Sequence, residues 1–252
     1  MFSELMVQQA KVMDKLSIVR SLHHQSNSHD PSSHLSQTGY YKRGPKGGRS
    51  SADTMPCFGS VIAKVRGSNV SGLPAYVSVP NTMRNGYAAY LGKSYNPFET
   101  VADPGKPNSK VPNLSLGSGL TDARFDDRRG LLSTLDSQRR MLDLEGSSTA
   151  VDQFREQSFE LVTGTRARAA FDIQAEADTL RDSYGRNSTG QSLLMARRLV
   201  EAGVTCVTCV TVRVTGWDDH TKLARGLRQR GPAYDRGMWV TTNIRIRCMT
   251  SR

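Results

Sequence analysis

Cysteine, long apolar runs and acidic residues in the last thirty positions are all scarce in this sequence. Four cysteines in 252 residues, Cys57, Cys206, Cys209 and Cys248, do not make a disulfide framework in a chain of this length. Cys206 and Cys209 have CxxC spacing, but no second pair stands at zinc-site spacing. Within a strand, positions three apart face opposite sides, so both read as buried strand cysteines. No stretch approaches the roughly 18 apolar residues that cross a bilayer, so no membrane span is expected. The first residues, MFSELMVQQAKVMDKL, read as an amphipathic helix carrying acids and not as a signal peptide. From Lys222 onward eight basic residues face a single acid, Asp235, so this tail supplies +7 of the net +11 and the rest of the chain is only mildly basic. Stacking aromatics are not interleaved with those arginines in the manner that single-strand binders require, which argues against nucleic acid as a partner.

What is present centres on Thr205 to His220, TCVTCVTVRVTGWDDH. A β-branched run leads into Gly216, Trp217, Asp218, Asp219 and His220. Before it, Gln191 to Gly203 carries Leu193, Leu194, Ala196, Leu199 and Val200 at helical spacing and stops at glycine. Helix, glycine, buried strand, then Asp and His at the strand's carboxyl end is the layout in which α/β enzymes place their sites. Asp218 and His220, two apart in an extended segment, are expected on the same side.

Upstream, residues 3 to 15 read as a helix and Leu16 to Leu22 as a short strand emptying into a loop at 23 to 34. That loop holds four of the five histidines: His23, His24, His29 and His34. Imidazole is the commonest transition-metal ligand, so the cluster reads either as a metal or anion site or as a solvated, serine-rich loop. Residues 39 to 51 form a glycine-rich basic stretch in which charges such as Lys42, Arg43 and Lys46 could attract an anionic substrate; a solvated surface loop is the alternative. Met55 to Val65 reads as a helix, and Leu73 to Pro80 as a strand. VPNLSL, within 103 to 119, reads as a further short strand. Two helical runs follow at 121 to 145 and 149 to 162, then short helices at 165 to 171 and 175 to 182. Alternating strands and helices predict an α/β layered fold with a mainly parallel sheet, and 121 to 187 reads as a helical insertion.

The run from Ala169 to His220, with VMDKLSIVRSLHH, the Thr38-Gly39 pair and YLGKSYNPF, resembles a large bacterial family of unknown function placed in the alkaline phosphatase and sulfatase superfamily. The likeness extends over roughly residues 5 to 238, and the Gly-Trp-Asp-x-His box joined to ARRLVEAGV is its most specific part. The resemblance implies an alkaline-phosphatase-like α/β/α sandwich and metal-dependent hydrolysis of a phosphate or sulfate ester. Asp218 and His220 would hold a divalent ion, Zn²⁺ or else Ca²⁺ or Mn²⁺, with His29 and His24 as further ligands. HDPSSHLSQTG, residues 29 to 39, is similar in spacing to the sulfatase nucleophile segment. It places His29 where the nucleophile would stand, and Ser32 is offset by three.

Against that family, the chain is expected to lack an upstream strand carrying metal-binding acids. Residues 239 to 252 are expected to be an aberrant basic tail after a partial domain at 1 to 238. The reading is therefore a truncated, weak or inactive hydrolase, the alternative being a non-catalytic binding or structural protein that keeps the fold. The family likeness implies export to the periplasm; a genuine start without a leader implies the cytoplasm.

Overall fold

The computed structural model describes residues 3–42, 55–106, 109, 111–112, 114, 127, 130, 164–211 and 217–250, with side chains in the last helix as far as Asn243. Among them lie seven α-helices and one three-stranded parallel sheet. The strands are β1 (Tyr76–Val79), β2 (Phe98–Glu99) and β3 (Cys206–Cys209), in the order β2-β1-β3. Tyr76 pairs with Cys206 and Val79 with Cys209, while Val77 pairs with Phe98. The expected helical runs at 121 to 145 and 149 to 162 and the strand VPNLSL fall almost entirely outside the described residues.

Alternation along β1 and β3 sends successive side chains to opposite faces of this sheet. One face presents Tyr76 and Cys206, which pack with Ala63 of α3 (Phe58–Arg66) and with Cys57 at its amino cap; α2 is the earlier helix His29–Thr38. The other presents Val77 and Val79 to Phe171 of α4 (Thr165–Phe171) and to Met195 and Leu199 of α6 (Ser188–Ala202). Helices therefore cover both faces, as a parallel sheet with apolar strands requires. Between α4 and α6 lies α5 (Asp178–Tyr184). The architecture is mixed α/β; the finer expectation of an alkaline-phosphatase-like sandwich has no support beyond that.

The longest matching prediction is α6. Asn187 caps it, its Oδ1 accepting from Gly190 N at 3.0 Å, and Gly203 closes it at φ 112°. Leu194 and Leu199 are fully buried, whereas Val200, expected on the same face, is 47% exposed. Gly190 sits so close to the carbonyl of Gly185 that an added Cβ would stand 2.7 Å from that oxygen.

Three expectations near the amino end are corrected. Residues 3 to 15 hold α1 (Val7–Ala10) and a separate 3-10 turn at Met13–Lys15 instead of one helix. Leu16 to Leu22 is not a strand: no ladder partner exists for it among the described residues, and Val19 and Leu22 are 73% and 84% exposed. An apolar, β-branched run becomes a strand only where a neighbour supplies hydrogen bonds. The supposed histidine loop ends at Ser28, because Pro31 fits the first turn of a helix and α2 begins at His29.

The last helix, α7 (Leu223–Thr250), runs across the predicted tail boundary, and Val240 is buried with Tyr184, Leu193 and Leu194. It also anchors the amino end. Asp235, 3% exposed, accepts from the backbone N–H groups of Gln8 at 2.7 Å and Gln9 at 2.8 Å, capping α1 from a residue more than two hundred positions away.

Replacing Asp235 with alanine strands both donors. The expected result is about 2 to 3 kcal/mol less unfolding free energy in urea, with faster amide exchange at Gln8 and Gln9. A second expectation concerns alkali. Burial pushes the Cys206 thiol up to about 11 and the Cys209 thiol up to about 12. Both stay protonated in the fold when the unfolded chain has begun to ionise near 9. Their contribution is thus complete below that value and lost as pH rises through 11 and 12. Urea melts from pH 8 to 11 should fall less steeply in the double Cys206→Ala, Cys209→Ala variant than in the parent.

Candidate metal centre

Two segments far apart in sequence meet at the side chains of His29 and Asp218. The first is the amino end of α2. Its first turn is held down by Lys42, whose ammonium bonds the Asp30 carboxylate at 2.5 Å, and by Asn85. The Asn85 amide donates to the Asp30 carbonyl at 3.1 Å and to Ser33 Oγ at 2.9 Å. The Lys42 hydrogen bond, helped by its charge and by Asn85, outweighs the desolvation of Asp30 and holds that carboxyl below the usual range. Asn85 adopts φ 60°, a left-handed conformation that asparagine tolerates better than most residues.

The second segment is the turn after β3. His29 Nε2 lies 2.6 Å from Asp218 Oδ2, and His220 Nε2 lies 2.9 Å from the same oxygen. One ligand atom from each of the three residues falls within 4.8 Å of the others. The expectation that Asp218 and His220 share a side is met, and His29 joins them across 189 positions. Lost hydration works against the Asp218 carboxylate, but the His29 hydrogen bond and the charge of His220 prevail, so its carboxyl is held below the usual range.

The donor set fits a divalent cation. Two imidazoles and one carboxylate are ligand types that zinc accepts, and three protein donors leave a position for an outside ligand. Tetrahedral zinc spaces its donors about 3.3 Å apart. Each imidazole would have to part from Asp218 Oδ2 by less than about 1 Å, and both rings are exposed enough to do so, His29 at 62% and His220 at 82%.

The other candidates lie elsewhere. His24 Nδ1 is 3.4 Å from Ser32 Oγ, outside the three-residue group, and His23 bonds the Ser21 carbonyl. His34 is fully buried; its Nδ1 donates to the Tyr40 carbonyl and its Nε2 accepts from Met55 N, which commits both ring nitrogens. Lys42 is taken up by Asp30, and Arg43 and Lys46 lie outside the described residues. Trp217 is 38% exposed and meets Tyr234 edge-on at 5.8 Å. Sequence reasoning missed Asp219 and Arg230, which form an ion pair behind the site. The available signal was the spacing of Gly226, Arg230 and Tyr234, four apart on one helix face.

A family model described as a protein of unknown function (DUF1501) matches residues 1–240. No curated protein and no solved structure matches the chain. The expected membership of the alkaline phosphatase and sulfatase superfamily is corrected by that result: the matching description carries no activity, and nothing in the comparisons links the chain to that superfamily. The analogy of residues 29 to 39 with a sulfatase nucleophile segment goes with it. His29 opens a helix and faces Asp218.

Asn85→Ala should loosen α2 by removing its bonds to Asp30 and Ser33 while keeping a left-handed backbone that alanine disfavours. A loss of about 1 to 3 kcal/mol is expected in denaturant melts, with Asn85→Gly recovering only the backbone part.

Proposed function

The chain belongs to the DUF1501 family, and from the side chains it brings together we propose that it binds one divalent cation through His29, Asp218 and His220. The observation that carries this is the convergence of two imidazole nitrogens, one of them from a segment 189 positions away, on one carboxylate oxygen. A cation bound there supplies Lewis-acid polarisation of an ester oxygen, and the activity we infer is hydrolysis of a phosphate or sulfate ester. Asp218 and the two imidazoles hold the ion. The residues 39 to 51, rich in lysine and arginine, support an anionic substrate by charge.

A non-catalytic cation-binding protein is the second reading, and one observation favours it. Among the described residues there is a single group of three metal-type ligands, whereas paired-metal hydrolysis holds two ions about 4 Å apart. Among the described residues no helix is long and apolar enough to cross a membrane.

Equilibrium dialysis with Zn²⁺, Mn²⁺ and Ca²⁺ tests the cation, and an aryl phosphate and an aryl sulfate assayed with each ion test the activity. One equivalent of ion is expected in the parent, and a tenfold or greater loss of affinity in each of His29→Ala, Asp218→Ala and His220→Ala. A folded parent that retains no ion would overturn the proposal. Stoichiometric binding without turnover would select the second reading.

A further inference from the structure

The residues on either side of Asp218 are both held by one arginine. Arg230 of α7 donates from Nη2 to Asp219 Oδ2, and its guanidinium carbon lies 5.6 Å from the centre of the Trp217 ring. Trp217 is wedged in turn against Tyr234, one turn further along α7, with the rings at 78°. Gly226, one turn earlier, leaves the space that the Asp219–Arg230 pair occupies. A Cβ there would stand 2.5 Å from Arg230 Nη2 and collide with the Asp219 carboxylate.

The two sets of side chains part on opposite sides of the turn. Trp217 and Asp219 go to α7, while Asp218 and His220 go to each other and to His29. Holding the neighbours on both sides restricts the backbone that carries the Asp218 carboxylate. The Arg230 guanidinium, planar and permanently charged, suits this double task, because it can bond a carboxylate in its plane while its face lies on an aromatic ring. Its side chain is 22% exposed and that of Asp219 19%, so the clamp is more sheltered than the imidazoles it serves.

We infer that Arg230 is a positioning residue for the cation centre, acting through Asp219 and Trp217 to fix the direction of Asp218 and His220. The inference rests on the cation reading above. Residues that orient metal ligands from behind commonly change affinity 10- to 100-fold when removed.

The test is a Zn²⁺ titration of the full chain against a chromophoric chelator, together with the visible absorption of the Co²⁺-loaded protein, which reports ligand geometry. Arg230→Met keeps the stem and removes the fork; Arg230→Lys keeps the charge and removes the planar stack. Arg230→Met is expected to weaken Zn²⁺ by 10- to 100-fold and to alter the Co²⁺ band, with Arg230→Lys in between. Asp219→Asn should weaken binding similarly, and the double variant should be no weaker than the worse single, because both break one clamp. If Arg230→Met does not fold, Asp219→Asn decides the matter alone. A folded variant binding Zn²⁺ within twofold of the parent, with an unchanged Co²⁺ band, would overturn the positioning role and leave the cation site standing. A parent that binds neither ion would overturn the cation site itself.

Discussion

One carboxylate oxygen, Asp218 Oδ2, connects the amino end of α2 with the turn after β3, and the candidate centre depends on that connection. Two imidazoles pointed at one oxygen form a favourable arrangement only if each has a proton to donate or a cation stands between them. The oxygen has little shelter, so hydrogen bonds to bulk water compete with both rings. What makes the convergence more than a surface ion pair is the support beneath each partner. Lys42 and Asn85 fix the helix that carries His29, and Arg230 fixes the turn that carries Asp218 and His220.

The sheet provides the common frame. Parallel pairing of β1 with β3 aligns Tyr76 with Cys206 and Ser78 with Thr208, which places the carboxyl ends of both strands at one edge. The inward face toward α3 is polar for a core. Ser78 Oγ and Thr208 Oγ1 are 2.9 Å apart, and the Tyr76 hydroxyl lies 3.3 Å from Thr208 and 3.9 Å from the Cys57 thiol. Each of these buried groups finds a partner in the others, which removes the cost of desolvating them singly. Burial pushes the Tyr76 hydroxyl far above its ordinary range, so the ladder is neutral at working pH. On the opposite face the contacts are apolar, with Val77, Val79 and Leu199 fully enclosed.

Much of this was legible where a local rule and its tertiary setting agree. The α6–β3 unit could be read because the apolar spacing and Gly203 are local signals, and the core rewards the same residues; the Asn187 cap went unread, so the helix begins at Ser188 and not at Gln191. Asp218 and His220 could be read because they are two apart in one extended turn. His29 was legible as a histidine but not as the helix start, since the serine-rich composition hid the Pro31 signal. The failure at Leu16 to Leu22 has a different origin: β propensity describes what a residue prefers beside a partner, and none is present among the described residues. Arg230 was read as part of a basic excess. Its role depends on Trp217 and Asp219 folding back onto α7, a contact that no periodicity announces.

The most direct measurement is nitrogen NMR of the five histidines during addition of Zn²⁺ to the intact chain. The Nε2 resonances of His29 and His220 are expected to move together to one equivalent, those of His23, His24 and His34 to stay in place, and Asp218→Asn to uncouple the pair. Movement of His23 and His24 with His29 and His220 silent would contradict the cation centre, as would a spectrum unchanged by the ion.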